Sequence, residues 1–366
     1  MSRVLRGAAL EDLTAAIVDA CRSGLSTEAL RDRVLGRLRR AVPFDAAFWA
    51  VVDPATLLFT QPHQDAIPAE TIPYFVQNEF LGDDVNKWTA LARERVPVTT
   101  LARATGGDLE GSARYRDVFR PLGLGDELRA VLRAGGACWG YLCLHREVGA
   151  PFTSREVDVV HHLAPHVAQG IRTAILLGST ELRPVADAPG LVVVAPDGTL
   201  LSTTQAGQHW LDELAPAAGD LPPEIQVLAA RLQAAQDMSG GLPSLRVRTR
   251  TGRWAVLHAS RMTTPDAVAV IIEEPSPAEL APVVMLAYAL TRQEQALTGL
   301  VCRGRSTREI AEQLHITPHT VQDHLKSIFE KTGVSSRREL VASILQEQYL
   351  PRAMAGRPLG PDGFFA

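Results

Sequence analysis

The stretch Leu290–Leu340, LTRQEQALTGLVCRGRSTREIAEQLHITPHTVQDHLKSIFEKTGVSSRREL, carries the strongest structural signal in this 366-residue chain. Two segments of it have capping-box spacing: Thr-x-x-Glu begins at Thr291, and Ser-x-x-Glu begins at Ser306. In a capping box the hydroxyl and the carboxylate each satisfy a backbone N–H at the start of a helix. The two motifs therefore predict two helices, the first of which ends near Gly304.

Two further helix starts follow in the same stretch. Thr317 before Pro318 predicts an N-cap with proline at the first helical position, and Gly333 can end that helix in a left-handed conformation. The pair Ser335-Ser336 predicts the start of a fourth helix. Four short helices with short joints predict an all-α, four-helix domain with helix-turn-helix organisation.

The third predicted helix, from Thr317 to Lys331, has two chemically different faces when its residues are placed 100° apart. One face is apolar and can pack against the other helices: Val321, Leu325 and Ile328. The opposite face is polar and can enter a DNA major groove: His319, Gln322, Asp323 and Lys326. Gln322 can pair with adenine, Lys326 can reach guanine, and Asp323 can accept from a cytosine amino group.

Hydroxyl and basic side chains around this helix suit contacts to DNA phosphates. We predict that role for Ser306, Arg308, Thr317, Thr320, Lys331, Arg337 and Arg338. Residues 289–350 contain eight basic and seven acidic side chains, so few phosphates would be neutralised and the non-specific affinity would be modest. The alternative interpretation is a four-helix bundle that binds no DNA.

The combined pattern LTxxE, STREIA, TPHTVQDHL, KTGV and SRREL resembles the LuxR-type helix-turn-helix over about 60 residues. The resemblance implies that the third helix reads double-stranded DNA and that the fourth helps to pair two copies. It therefore predicts a homodimer, with RNA polymerase as a further partner. Gln322-Asp323 departs from the family pattern, in which a more basic pair is common, and leaves the target sequence open.

Residues 1–178 hold 13 of the 20 aromatic side chains and predict an α+β domain. Helical patterns come first, the strand-like run FDAAFWAVV follows, and Gly135-Gly136 joins two further strands before a long closing helix. The segments WGYLCLHR and PFTSREVDVVHHLAPHVAQGIR resemble a GAF-type sensory domain. The resemblance implies a small ligand between sheet and helices. We expect Trp88, Tyr115 and Trp139 at that pocket, the alternative being that they are core or surface aromatics.

Residues 184–274 predict a second α+β domain, in which VVVAPDGTLLSTTQAGQHWL followed by RTRTGRWAVLHAS resembles a PAS-type domain. No cofactor follows from this resemblance, because no cysteine is placed for flavin chemistry and no histidine has a haem setting. A module that only packs or dimerises is the alternative. The predicted boundaries are 1–178 for the GAF-like domain, 184–274 for the PAS-like domain, 275–290 for a linker helix, 291–348 for the DNA-binding domain and 349–366 for a C-terminal tail.

Charge and composition exclude several classes of function. The chain has 37 basic and 41 acidic side chains, a formal net charge of −4, which argues against a protein that coats nucleic acid. We find no signal-peptide pattern, no apolar run of bilayer length and no cysteine pair with metal or redox spacing, so we expect a cytoplasmic protein without membrane contact. His162 and His166 are four apart, but Leu163 stands where HExxH needs a glutamate. We therefore predict no catalytic residue, no metal, no cofactor and no enzyme.

The sequence as a whole predicts a sequence-specific, DNA-binding transcription regulator whose sensory domains respond to a small ligand or partner. The alternative is a regulator in which the sensory domains bind a partner protein and DNA binding is accessory. The identity of the ligand, the operator sequence, the dimer interface and the direction of regulation stay open.

Overall fold

A computed structural model describes residues 7–177, 188–195, 198–214, 221–235, 243–263 and 267–344. The described residues form two compact units, the first made of 7–177 and the described part of 188–273, and the second of 274–344. The predicted tail, 349–366, lies outside the described residues. The predicted domain boundaries remain predictions.

The first unit begins with a five-stranded antiparallel sheet and its helices. In chain order the elements are α1 (Gly7–Arg22), α2 (Thr27–Ala41), β1 (Ala46–Val52), β2 (Phe59–Asp65), α3 (Ile72–Phe80), α4 (Trp88–Leu91), β3 (Val98–Thr100), α5 (Leu101–Ala104), β4 (Leu124–Ala134), β5 (Ala137–Glu147) and α6 (Ser154–Leu177). The strand order is β2-β1-β5-β4-β3. Gly135 and Gly136 both have positive φ at the β4–β5 turn, which confirms the predicted hairpin.

One face of this sheet packs against the long helix α6, whose inner side chains are fully buried. The close approach depends on Gly140 in β5. A Cβ built there would lie 2.9 Å from the Ile171 side chain of α6 and 2.9 Å from the Ala50 carbonyl oxygen. The opposite face is covered by α3, by α4 and by the segment before β4, and it forms the floor of the cavity described below.

The rest of the first unit is a second five-stranded antiparallel sheet. Its elements are β6 (Gly190–Val194), β7 (Leu200–Thr203), α7 (Gln205–Leu214), α8 (Pro223–Ala234), β8 (Ser244–Arg248), β9 (Trp254–Arg261) and β10 (Val268–Glu273). The strand order is β7-β6-β10-β9-β8, which repeats the order of the first sheet.

The second sheet and its helices dock on the first sheet through buried polar contacts. Glu224 of α8 is 3% exposed, and its Oε1 accepts a hydrogen bond from the Gln61 backbone N–H at 2.8 Å. Arg246 of β8 donates from Nε to the buried carboxylate of Asp53 at 3.1 Å. Helix α8 also packs against α3 and β2, so these two elements of the first sheet's domain form the docking surface.

The second unit is helical in its described part. It contains α9 (Pro277–Ala287), α10 (Arg292–Cys302), α11 (Thr307–Leu314), α12 (Pro318–Thr332) and helical residues 337–344. The predicted capping boxes are present at Thr291 and Ser306, and Gly333 ends α12 with φ 71°. The core unites all the helices after α9: Leu297, Leu300, Ile310, Val321, Leu325, Ile328, Leu340 and Ile344. The predicted four-helix arrangement is confirmed.

No helix in the described part of the chain combines the length and the apolar character that a membrane span requires.

Candidate DNA interface and ligand cavity

Two short helices joined by a tight turn present the candidate DNA-reading surface. Helix α11 ends at His315, which adopts a left-handed conformation with φ 54° and ψ 43°. Thr317 then caps α12, since its Oγ1 accepts from the Thr320 backbone N–H at 3.1 Å. The hydroxyls of Thr317 and Thr320 lie 2.9 Å apart. The first turn of α12 is thus fixed by its own polar side chains.

The two faces predicted for α12 are confirmed by burial. Val321, Leu325 and Ile328 are at most 2% exposed and lie in the helical core. The polar face is exposed to solvent: His319, Gln322, Asp323 and Lys326. A helix with one packed and one open polar face is the element that helix-turn-helix proteins place in the major groove.

The exposed face already contains contacts of its own. His319 Nδ1 lies 3.0 Å from Asp323 Oδ2, and both side chains are more than 60% exposed. Gln322 Nε2 approaches the Thr307 hydroxyl at 3.4 Å. The structure gives Lys326 neither a hydrogen bond nor an ion pair with any described residue, so its ammonium group is available to an acceptor outside the chain.

The predicted phosphate-contacting residues fall into two groups. Ser306 caps α11, Arg308 is 87% exposed and pairs with Glu312 of its own helix, and Arg338 is exposed. Arg337 instead donates to the Thr307 hydroxyl at 2.8 Å and to the Arg305 carbonyl at 3.3 Å, which joins the last helix to the start of α11.

Lys331, for which the sequence predicts a phosphate contact, is ion-paired within the helical unit. Its Nζ lies 2.8 and 2.7 Å from the two carboxylate oxygens of Glu294 in α10, and Glu294 is 3% exposed. Burial alone would raise the pKa of Glu294, but hydrogen bonds from Lys331, from the Thr291 backbone and from Ser327 lower that pKa to about 2. The ammonium group therefore holds α12 to α10, and no local sequence pattern indicates this pairing.

A cavity lies over the first sheet; together with the open solvent at its mouth the space measures about 500 Å³. Its floor follows the strand register: Gln64 of β2 pairs with Phe48 of β1, Phe48 with Cys143 of β5, and Cys143 with Arg129 of β4. Glu127 and His145 form the next row on the same face. The remaining wall is mostly aromatic and aliphatic: Phe59, Pro62, Ile67, Ile72, Phe75, Glu79 and Trp88.

The charges at the floor are paired with one another. Glu127 accepts from Arg114 at 2.7 Å and from Arg129 at 3.0 Å, and all three side chains are buried. Burial opposes ionisation of Glu127, but the two guanidinium groups hold its pKa well below the usual range. Arg114 also pairs with the buried Asp84 at 3.1 Å, and Arg129 pairs with Glu79 at 3.1 Å.

Glu127, Cys143 and His145 bring three potential metal ligands within 4.8 Å of one another. The surroundings oppose metal binding there. Both oxygens of Glu127 already accept guanidinium hydrogen bonds, and burial raises the pKa of the Cys143 thiol well above its usual value. A cation would have to displace two arginines and deprotonate a buried thiol, so the cluster is a poor donor set for a metal.

Both the helical unit and the domain with the first sheet are similar to known protein families. A family model described as bacterial regulatory proteins, luxR family, matches residues 288–344, and a GAF domain model matches residues 26–171. The spore germination protein GerE of Bacillus subtilis is 33% identical over 57 residues, which are 16% of this chain and 77% of GerE. The chain belongs to the LuxR family of bacterial regulatory proteins.

Other similarities to this LuxR-family chain are partial. The monoamine regulon transcriptional regulator of Klebsiella aerogenes is 47% identical over 53 residues, which are 14% of this chain and 23% of that protein. The chain thus spans less than a quarter of that curated relative. The GAF domain from a Coxiella burnetii phosphoenolpyruvate-protein phosphotransferase is 18% identical, with a TM-score of 0.32, and covers 43% of this chain and 90% of that one.

Only one of the three aromatics predicted for the ligand pocket of this LuxR-family protein lines the cavity. Trp88 does so, stacked on Tyr141 with ring centroids 4.3 Å apart. Trp139 is fully buried and donates from Nε1 to the Ala134 carbonyl at 3.0 Å, away from the cavity wall. Tyr115 does not line the cavity; it packs in an apolar cluster that shares Ile67 and Phe75 with the cavity wall.

The sequence prediction missed most of the cavity because it looked for large aromatic residues alone. The better signal is the alternation in β4 and β5, where Glu127 and Arg129, and Cys143 and His145, recur at every second position. Side chains at every second position of a strand point to the same face of the sheet. Polar residues at such positions in an otherwise apolar strand therefore indicate a polar site on one face. Which strands lie side by side cannot be deduced from that alternation.

Proposed function

We propose that this LuxR-family chain is a sequence-specific, DNA-binding transcription regulator, and that the exposed face of α12 reads DNA. The observation that carries the proposal is the arrangement of α12. Its apolar side is in the core, its polar side is open, and Lys326 on that side has no partner among the described residues. Family membership supports the same function.

The chemistry of this face assigns roles to its residues. Gln322 offers an amide that can donate to and accept from adenine, and Lys326 offers a donor for guanine. His319 and Asp323 are paired with each other, so an Asp323 contact to cytosine requires that this exposed ion pair opens. We assign phosphate contacts to Ser306, Arg308, Thr317, Thr320 and Arg338, and an internal structural role to Lys331 and Arg337.

The domain with the first sheet is the sensory part of the proposed regulator, and its cavity is the binding site for a small molecule. The proposal includes a PAS-like identity for the second sheet's domain, supported by its strand order and by its helices α7 and α8. We further propose that the regulator is a cytoplasmic homodimer that acts on RNA polymerase, as the resemblance implies.

A route for the signal from the cavity is part of this proposal. Strand β2 and helix α3 supply cavity-lining residues such as Gln64 and Phe75, and the same two elements carry the docking surface for α8. A ligand that shifts β2 or α3 would change the contact between Gln61 and Glu224. Binding can bias the regulator only if the ligand prefers one arrangement of these elements over another.

Selection from a random double-stranded DNA library tests the DNA-reading role. The full-length chain should enrich a defined sequence motif, and a Gln322→Ala, Lys326→Ala double variant should lose that enrichment. Glu330→Ala, at an exposed position on the same helix, is the matched control. If the wild-type chain enriches no motif but purifies with a stoichiometric protein partner, the regulator acts mainly through protein contacts instead.

A further inference from the structure

Two buried polar atoms at the cavity have no partner among the described residues. They are Oε1 of Gln64 and Nδ1 of His145, and both residues line the cavity. His145 is 2% exposed, and the Gln64 amide nitrogen is already directed to the Thr71 hydroxyl at 3.4 Å. Buried polar groups in native proteins are nearly always hydrogen-bonded, so these two atoms require a partner from outside the described residues, either ordered water or a bound molecule.

The positions of these two atoms limit the shape of the bound molecule. Gln64 stands on β2 and His145 on β5, with β1 between them, and His145 lies one row further along the sheet. Two strand spacings across and two residues along place their backbones about 12 Å apart. The wall between and above them is aromatic, and Phe48 meets Phe59 edge to face with centroids 5.8 Å apart. A flat ring system fits against such walls better than a flexible chain, because aromatic faces prefer stacked or edge contacts.

The charged groups at the cavity further restrict the chemical class of the bound molecule. Arg129 is already bound to Glu127 and Glu79, and Arg114 to Glu127 and Asp84, so both guanidinium groups are occupied. His145 is uncharged near neutral pH because burial lowers its pKa to about 4. A carboxylate or phosphate entering the cavity would meet the buried carboxylates of Glu79 and Glu127 and, among the described lining residues, no unpaired cation, at a large cost in desolvation.

The polar groups of the bound molecule follow from the two unpaired atoms. Gln64 Oε1 can only accept, so it requires an N–H or O–H donor. His145 Nδ1 donates or accepts according to the ring tautomer, and a hydroxyl satisfies it in either case. We propose, building on the sensory role assigned above, that the cavity binds an uncharged aromatic molecule of one or two rings that carries a hydroxyl or N–H group directed at Gln64 and His145.

Saturation-transfer NMR on the full-length chain with a matched set of probes tests this class. The uncharged donors are naphthol and indole. Their donor-free counterparts are methoxynaphthalene and N-methylindole, and naphthoate is the anion. We expect naphthol and indole to bind, the methylated probes to bind roughly tenfold more weakly because a buried acceptor stays unpaired, and naphthoate not to bind.

Two variants locate the binding. The ring centroids of His145 and Phe119 are 4.7 Å apart, so His145→Phe keeps an aromatic ring beside Phe119 and removes the Nδ1 atom. Gln64→Leu removes the Oε1 acceptor. Each should weaken naphthol binding roughly tenfold, while His162→Phe, at an exposed position on α6, should not change it. Thermal unfolding identifies a variant that fails to fold, and the other variant then carries the test.

The proposal is overturned if neither naphthol nor indole binds, if naphthoate binds as tightly as naphthol, or if binding is unchanged in every folded cavity variant. This outcome is separable from failure of the DNA-reading role, because the NMR experiment contains no DNA and the library selection contains no probe. A chain that enriches a DNA motif but rejects the uncharged donors retains its proposed function and loses only the proposed ligand class.

Discussion

Replacement of Lys331 by methionine should separate structural from DNA-contacting lysines in the helix-turn-helix unit. Lys331 and Lys326 both lie on α12, but only Lys331 is bound inside the unit, to the buried carboxylate of Glu294. Methionine keeps the length and much of the packing of the side chain and removes the ammonium group. We expect Lys331→Met to destabilise the unit and Lys326→Met to leave its stability unchanged.

The size of the effect can be worked from Glu294. Its pKa is lowered from 4.5 to about 2 by all its partners together, which corresponds to about 3 kcal/mol. Lys331 supplies two contacts to the carboxylate, and the Thr291 N–H and the Ser327 hydroxyl supply one each. The Lys331 side chain is 32% exposed, so solvent screens part of its share. We expect a loss of about 1–2 kcal/mol, a factor of roughly 5 to 30 in the opening equilibrium.

Hydrogen–deuterium exchange of the full-length chain, read by mass spectrometry, measures this opening locally. Exchange is needed because all five tryptophans lie before residue 260, outside the helix-turn-helix unit, so tryptophan fluorescence does not report on it. Peptides covering α10 and α12 should exchange faster in Lys331→Met by that factor. Peptides from β4 and β5 should not change.

Lys326→Met is the matched control, and the two variants should show opposite patterns. Lys326→Met should keep wild-type exchange and lose affinity for the selected DNA motif. Lys331→Met should exchange faster and keep most of its affinity where the unit is folded. If Lys331→Met exchanges like wild type and loses DNA affinity as Lys326→Met does, then Lys331 contacts DNA and the structural assignment is wrong.

Three more predictions follow from individual groups. His315→Gly should stabilise the helix-turn-helix unit by up to about 1 kcal/mol in the same exchange experiment, because glycine adopts φ 54° without the strain of a Cβ; a loss of stability would contradict this. Arg114→Met should destabilise the first unit by about 3–5 kcal/mol, measured by tryptophan fluorescence in urea, because it removes the cation paired with the buried Asp84 carboxylate and leaves Glu127 with Arg129 alone; an unchanged midpoint would refute the pairing. Because folding lowers the pKa of Glu294, its stabilisation is fully present above pH 4.5 and declines as the pH falls toward about 2. Deuterium exchange of α10 amides, corrected for the intrinsic pH dependence of exchange, should therefore increase as the pH falls from 4.5 toward about 2. The increase should be smaller in Glu294→Gln, which has no carboxylate to titrate.

The helix-turn-helix unit could be predicted from sequence because its signals are local. Thr291 and Ser306 are each followed three positions later by a glutamate, which predicts a helix start, and Gly333 predicts a helix end. The two faces of α12 follow from helical geometry alone. The pairing of Lys331 with Glu294 is not local, since it joins residues 37 positions apart on two helices, and a lysine at a helix end looks the same whether it faces solvent or a carboxylate.

The residues that line the cavity are even harder to predict from local sequence than the Lys331–Glu294 pair. Gln64, Phe48, Cys143 and Arg129 form one row only because β2, β1, β5 and β4 lie in that order, and sheet order depends on contacts distant in sequence. Trp139 is a large aromatic residue of the kind that lines many ligand pockets. Its indole is instead buried beyond the end of the cavity, where the hairpin carbonyl of Ala134 receives its N–H. The GAF resemblance implies a ligand pocket but does not predict which side chains line it.

Base preference in a selected DNA motif tests the central claim most directly. The full-length chain and its Gln322→Ala variant are each used to select from the same random double-stranded library. If α12 reads base edges, the variant should retain the motif but lose its preference at the position read by Gln322, where a lost bidentate contact is worth about 1–3 kcal/mol. An identical motif from both proteins would show that Gln322 does not read a base edge and would contradict the assignment of base contacts to this face of α12.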